Sequence, residues 1–364
     1  MTVDPKTAPA HGPIVEIDLS ALCANYAMIR DAAPEARVSA AVKCDAYGLG
    51  LTPISRALFE RGGCDEFFVA YPEEGAALRE ALNNAAARIY CFAGPSEETL
   101  ALYERVQMTP VINSLTQAEL WAKRGAGPTV VHIDTGMNRL GAPMSEAQAI
   151  AATLSAAGRE VSIVMSHLAC ASDPTHPKNK DQREKFVEAA RRFSGARLSL
   201  AASAGALMDK AYQFDLVRPG IALYGGSPFD ADDERICDVA TLKAPIVQLR
   251  DLRPGETVGY GATFTATAPV RIATVALGYG DGYPRNDTPA GAAIVNGALA
   301  PIVGRVSMDF ITLDITSLKN PVKIGDYAEF FGPRLRLFKA AAAAHRVPYD
   351  LLTGLGGRID RRYL

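Results

Sequence analysis

Eight short apolar runs recur along the first two-thirds of the chain, each separated from the next by polar or helical sequence, and this alternation constrains the fold most. The runs are VSAAVK (38–43), EFFVA (66–70), ARIYCF (87–92), MTPVIN (108–113), TVVHID (129–134), EVSIVMSH (160–167), RLSLAA (197–202) and FDLVR (214–218). Stretches between them, such as PEEGAALREALNNA, SEETLALYERV and NKDQREKFVEAARRF, carry apolar residues at helical spacing. Continuous apolar strands alternating with amphipathic helices predict a parallel sheet covered by helices. Eight such units within ~220 residues predict a (β/α)8 barrel, with an open doubly wound sheet as the competing arrangement.

The pattern changes after LYGGSPFDADDERI, a stretch rich in Gly, Pro and Asp. From there short strand-like runs alternate with turn signals such as RPGE and NGA, and helical spacing is absent until FKAAAAAH. The expected α/β architecture is therefore an N-terminal barrel over 14–235 and a mostly-β domain over 236–364, to which the N-terminal segment 1–13 also belongs. A chain of 364 residues has room for both.

Composition narrows the partners. A net charge of −2 gives no electrostatic footprint for nucleic acid or an anionic membrane. No apolar run approaches the ~20 residues that span a bilayer, and MTVDPKTAPAHGP lacks the apolar segment of a signal peptide. The default location is cytoplasmic. The six cysteines fall singly, which reads as free thiols, and the five histidines lack metal-ligand spacing, so no metal is expected.

In a barrel of this kind the chemistry lies at the carboxyl ends of the strands. Unusual polar residues fall at those ends: Lys43, the Asp134 to Arg139 segment, His167, Ser203, and Arg218 with Gly220. A desolvated lysine on a rigid strand end can be held as a neutral amine and form a Schiff base. Glycines and a serine after the last two strands supply N–H groups and a hydroxyl for a phosphate. A lysine with a phosphate cradle points to pyridoxal phosphate.

The segments AVKCDAYGLG, HIDTGMNRLG, SHLACA, DLVRPGIALYGG, VGYGATFTA, GYGDGY and VGRVSMDFITLDI resemble, in order, the signature segments of alanine racemases. The resemblance implies a pyridoxal-phosphate enzyme interconverting L- and D-alanine, and supplying D-alanine for peptidoglycan. It also implies a homodimer with shared active sites. In this likeness Lys43 holds the cofactor covalently and is the base on one face. Tyr260, from the other subunit, is the base on the opposite face. His167 contacts that tyrosine and is fixed by Arg218, which faces the pyridine nitrogen. Arg139 matches an arginine at the cofactor and substrate carboxylate. Met308 and Asp309 match second-subunit residues beside the substrate, and Tyr279 lines the access corridor. Tyr47, Ser203, Gly220 and Ile221 match the phosphate-binding set. Cys44 is expected to be a small filler.

Three positions depart from the best-known members. His132 replaces a lysine often modified to a carbamate, so the support of Arg139 must differ. Ala202 replaces an asparagine, and Gly357 falls where some members have a phosphate-binding tyrosine. Alternatives are a racemase of broader specificity or for serine, and a non-catalytic pyridoxal-phosphate-binding protein.

Overall fold

A computed structural model describes residues 12–286 and 290–364. They form two compact units, Leu22–Cys237 and the N-terminal residues through Ala21 together with Asp238–Leu364. The segment 1–13, expected with the β domain, lies almost wholly outside the described residues.

In the first unit the eight predicted strand positions form a closed parallel barrel. Ala40–Ala41 pairs with Glu66–Val69, and the ladder continues through Arg88–Cys91, Met108–Ile112, Thr129–Asp134, Val161–Met165 and Arg197–Ser199. Leu216–Val217 pairs with Arg37–Val38 and bonds across to the preceding strand through Asp215 N to Leu198 O and Arg218 N to Ala201 O, closing the ring. The strand core is fully buried at Phe67, Phe68, Ile89, Val111, Val131, Ile133 and Val164, as expected for strands covered on both faces.

The amino ends of the strands are tied by charge. Glu66, at 0% exposure, accepts from Arg37 (2.7 Å) and from both terminal nitrogens of Arg197 (2.9 and 2.8 Å), with Tyr90 Oη at 2.8 Å. Arg88 lies 3.4 Å from the same carboxylate. These groups come from four different strand positions, so one buried carboxylate ties together opposite walls of the barrel.

The second unit is mostly β. The long strand Ala240–Leu252 is its spine, pairing antiparallel with Val270–Val275, Tyr327–Phe331 and Ile14–Ile17. Ile14–Ile17 also lies parallel to Asp360–Tyr363. Residues 14–21, expected in the barrel, therefore belong to the β unit. IVEI is apolar enough for either, and only its hydrogen-bond partners decide. Leu252, Val258, Ala266, Ile272 and Val303 form a small core beneath the hairpin Thr257–Val258 and Phe264–Thr265. Among the described residues no helix is long and apolar enough to cross a membrane.

Candidate active site

Lys43 follows the buried wall Ala40, Ala41, Val42 and opens a turn of unusual hand. Cys44, Asp45, Ala46 and Tyr47 have φ of 55°, 51°, 52° and 58°, and Gly48 continues at 82°. Each non-glycine residue in this region costs roughly 1–2 kcal/mol, so four in succession need bonds that over-determine them. Those bonds are present. Ala46 N donates to Val42 O, Gly48 N to Cys44 O, and Leu51 N to the Asp45 carboxylate. Tyr47 stacks on Tyr224 with ring centroids 4.5 Å apart, and Tyr224 Oη donates to Ala41 O at 2.7 Å. Cys44 is exposed on the turn rather than filling space.

The Lys43 amine sits 5.9 Å from the Phe92 ring centroid. Burial pushes its pKa down, the Arg139 charge adds to that, and Glu74 opposes it. The amine is thereby biased toward the neutral, nucleophilic form.

Tyr47 leads to the phosphate-type cradle. Ser203 Oγ accepts from Gly220 N at 2.9 Å and Ala222 N at 3.3 Å, which leaves its O–H to donate elsewhere. A Cβ placed on Gly220 would meet the Tyr47 hydroxyl oxygen well under 3.0 Å, so only glycine admits the tyrosine there. Ile221 is 1% exposed and packs beneath. Two hydroxyls, a glycine backbone and a neutral-leaning amine fit a phosphorylated aldehyde such as pyridoxal phosphate.

Arg218, 3% exposed, donates to Ser199 O (2.9 Å), Ser199 Oγ (2.5 Å) and Ser166 O (2.6 Å). Burial lowers its pKa, while the carbonyls accepting from it hold the proton in place. Among the described residues no hydrogen bond joins Arg218 to the His167 imidazole. It holds the carbonyl of the adjacent Ser166 instead. Gln182, from the helix Pro177–Ala190, donates to His167 O at 3.0 Å and Thr135 Oγ1 at 3.2 Å, and accepts from Ala169 N. The His167 pKa lies well below its ordinary value, from burial and then the nearby Arg218 and Arg139 charges.

Asp134 receives the N–H groups of Gly136, Met137 and Asn138, each at 2.8 Å. This carboxylate shapes the loop that carries the exposed Arg139. His132, 6% exposed, places Nδ1 3.0 Å from Asn113 Oδ1. Asn113 Nδ2 is committed to Phe92 O and Val111 O, so its oxygen faces the ring. His132 therefore carries its proton on Nδ1 and offers Nε2 as an acceptor. Burial first, then Arg218, push its pKa down to about 3. A neutral, asparagine-held imidazole occupies this position in place of an anion.

The remaining candidates lie on the β unit. Tyr260, 68% exposed, stands at a hairpin tip between Gly259 (φ 73°) and Gly261 (φ 74°). Tyr279 N donates to Ser307 O and Gly280 N to Met308 O, bringing the loops carrying Tyr279, Met308 and Asp309 together. Arg358 bridges Asp281 and Asp309 at 2.8 Å each. A Cβ on Gly357 would meet nothing within 4 Å.

Glu74, Asn113, Gln182, Ser166 and Ser199 are absent from the sequence reading. Asn113 and Ser166 fall at strand ends, where the rule that found Lys43 applies equally. Glu74 and Gln182 lie within helices, and no local signal aims them at the rim.

Comparison with known proteins identifies the family of the fold. Residues 17–228 match the model of the alanine racemase N-terminal domain, and 239–363 that of the C-terminal domain. A catabolic alanine racemase of Agrobacterium fabrum is 42% identical over 357 residues, covering 96% of this chain and 91% of that protein. The alanine racemase of Brucella suis is 40% identical over 375 residues, covering 98% and 94%. Among solved structures, the alanine racemase of Bartonella henselae with covalently bound pyridoxal phosphate superposes with a TM-score of 0.92 at 34% identity, covering 98% of this chain and 100% of that one. The biosynthetic enzyme of Pseudomonas aeruginosa gives 0.91 at 35% identity, with the same coverage. With family models matched across both units and relatives near 40% identity over almost its whole length, the chain belongs to the alanine racemase family.

Proposed function

We propose that this alanine racemase, which uses pyridoxal phosphate, works with two bases, Lys43 on one face of the substrate and Tyr260 of a second copy on the other. The observation that carries the reading is the half-buried Lys43 amine at a barrel strand end, on the same turn as Tyr47 of the hydroxyl-lined cradle and biased toward its neutral form. When bound, the cofactor supplies the electron sink that acidifies the substrate Cα–H.

The protein's own residues do the rest. Tyr47, Ser203 and the Gly220–Ile221 backbone would hold the phosphate, and Arg218 would offer the pyridine nitrogen a donor that keeps its proton. That donor limits electron withdrawal, so reprotonation at the substrate carbon is favoured over side reactions. Lys43 takes or returns the proton on one side. Tyr260 does so on the other, with His167 beside it. A phenol has an ordinary pKa near ~10, so Tyr260 needs such a partner to act as a base near neutrality. Arg139 binds the substrate carboxylate. Met308 and Asp309 of the second copy lie beside the substrate, with Tyr279 lining the approach. The exposure of Tyr260 supports its donation to a second copy.

Subunit mixing tests this. Lys43→Ala and Tyr260→Phe each abolish most activity, and a 1:1 mixture of the two regains about a quarter of the wild-type rate, because half the dimers carry one intact site. No recovery on mixing, under conditions where subunits exchange, overturns the shared site.

Broader specificity is the second reading, and it rests on the glycine at 357, which falls where some family members carry a phosphate-binding tyrosine. Rates for L-alanine, L-serine and larger L-amino acids rank the substrates. Supply of D-alanine for peptidoglycan in the cytoplasm is checked by whether a deletion strain requires D-alanine.

A further inference from the structure

The turn that carries Lys43 is also held from outside itself. Its first N–H, that of Cys44, has no acceptor within the turn and lies 2.6 Å from Oε1 of Glu74. The other carboxylate oxygen accepts from Ala70 N at 2.7 Å and Tyr71 N at 3.2 Å. Ala70 follows the strand Glu66–Val69, which pairs with Ala40–Ala41 directly before Lys43. One carboxylate thus joins the lysine turn to the end of the neighbouring strand and to the start of the helix Pro72–Leu82.

We propose that Glu74 is a positioning residue for the Lys43 amine, capping the left-handed turn through the Cys44 N–H while placing an anion beside the lysine. The inference rests on the reading of Lys43 as the cofactor-bearing amine. The chemistry demands a carboxylate. Three N–H donors converge on it, and an amide would turn an NH2 toward one of them. The charges acting on Lys43 are Arg139, which disfavours the ammonium form, and Glu74 and Cys44, which favour it. Lys43 in turn acts on His167. Among these Glu74 combines an opposing charge with a bond to the turn itself.

The experiment uses the full-length holoenzyme. Borohydride trapping and peptide mapping first locate the cofactor. Trapping at a residue other than Lys43 overturns the underlying reading and this inference with it. In Glu74→Gln, with folding verified by circular dichroism, cofactor affinity falls about tenfold or more, the loss expected of a charge-assisted hydrogen bond. The midpoint of trapping against pH moves downward, because removing an anion favours the neutral amine. Glu73→Gln removes an exposed carboxylate from the same helical turn and leaves both quantities unchanged. Trapping on Lys43 with wild-type affinity and midpoint in folded Glu74→Gln overturns the proposal alone, as do equal effects in Glu73→Gln. Should Glu74→Gln not fold, hydrogen exchange on the unaltered protein decides. Slow exchange of the Cys44 amide sustains the proposal, and exchange at the unprotected rate overturns it.

Discussion

Gly220 and Tyr47 are in mutual exclusion with any larger residue at 220: a Cβ there would stand well under 3.0 Å from the tyrosine hydroxyl oxygen. Tyr47 cannot readily retreat, since its ring stacks on Tyr224, whose own hydroxyl is bonded to Ala41 O. The cradle therefore depends on a missing side chain as much as on those present.

Gly220→Ala displaces the Tyr47 hydroxyl and lowers cofactor affinity by about tenfold or more, the size expected for one lost hydrogen bond to a charged group. Titration of cofactor into the folded variant checks this, and its thermal transition falls below that of wild type, because the added Cβ must push aside a ring held by its stack on Tyr224.

Acid weakens the barrel through Glu66. Burial works to raise its pKa, but hydrogen bonds from Arg197 and Tyr90 and the charges of Arg197 and Arg88 hold it down at about 2. A carboxylate depressed in the folded state stabilises above its unfolded value. That stabilisation is lost as pH falls from 4.5 toward 2. Glu66→Gln removes the carboxylate that Arg197 shares with Arg37 and Arg88, the last two keeping Asp65, and costs about 1–3 kcal/mol at neutral pH. Chemical denaturation at a series of pH values measures both effects.

His132 contributes in a different window. Its folded pKa is depressed from 6.5 to about 3, so below pH 6.5 the unfolded chain binds a proton that the folded chain refuses. Stability is complete above that value and falls by up to about 1.4 kcal/mol per pH unit below it. His132→Asn removes this contribution, and the slope of unfolding free energy against pH between 4 and 6 becomes shallower. An unchanged slope would falsify the neutral assignment.

In the proposed site, Arg218→Glu exchanges a retained proton donor for an acid facing the cofactor ring. Racemisation slows, and the fraction of turnovers ending in transamination rises. Pyruvate formed per racemisation event measures it. The variant is also less stable, because a buried carboxylate then faces the Ser199 and Ser166 carbonyls that accept from the arginine.

Much of this was legible in the sequence because it is periodic or local. The eight strand positions follow from apolar runs broken by helical spacing, and strand ends alone placed Lys43, Arg139, His167, Ser203 and Arg218 on one rim. Lysine on a strand end and serine with glycine after the last strands are statements about chain order, and chain order is what a sequence records. The pairing of Ile14–Ile17 was not legible, since four apolar residues do not say which strands they join.

Tertiary structure decided what depends on convergence from distant segments. The hand of the turn after Lys43 follows no residue preference, for Cys44, Asp45, Ala46 and Tyr47 disfavour it individually. It exists because Glu74, Tyr224 and the barrel wall outweigh that cost together. The tautomer of His132 is set by Asn113, 19 residues away, and the Arg218 proton by carbonyls from two other strands. Sequence alone put Lys43, Arg139, His167, Ser203 and Arg218 at strand ends, because strand order carries that. Their charge states, orientations and strain belong to the folded chain, because each is fixed by burial and by partners that only folding brings within a hydrogen bond's reach.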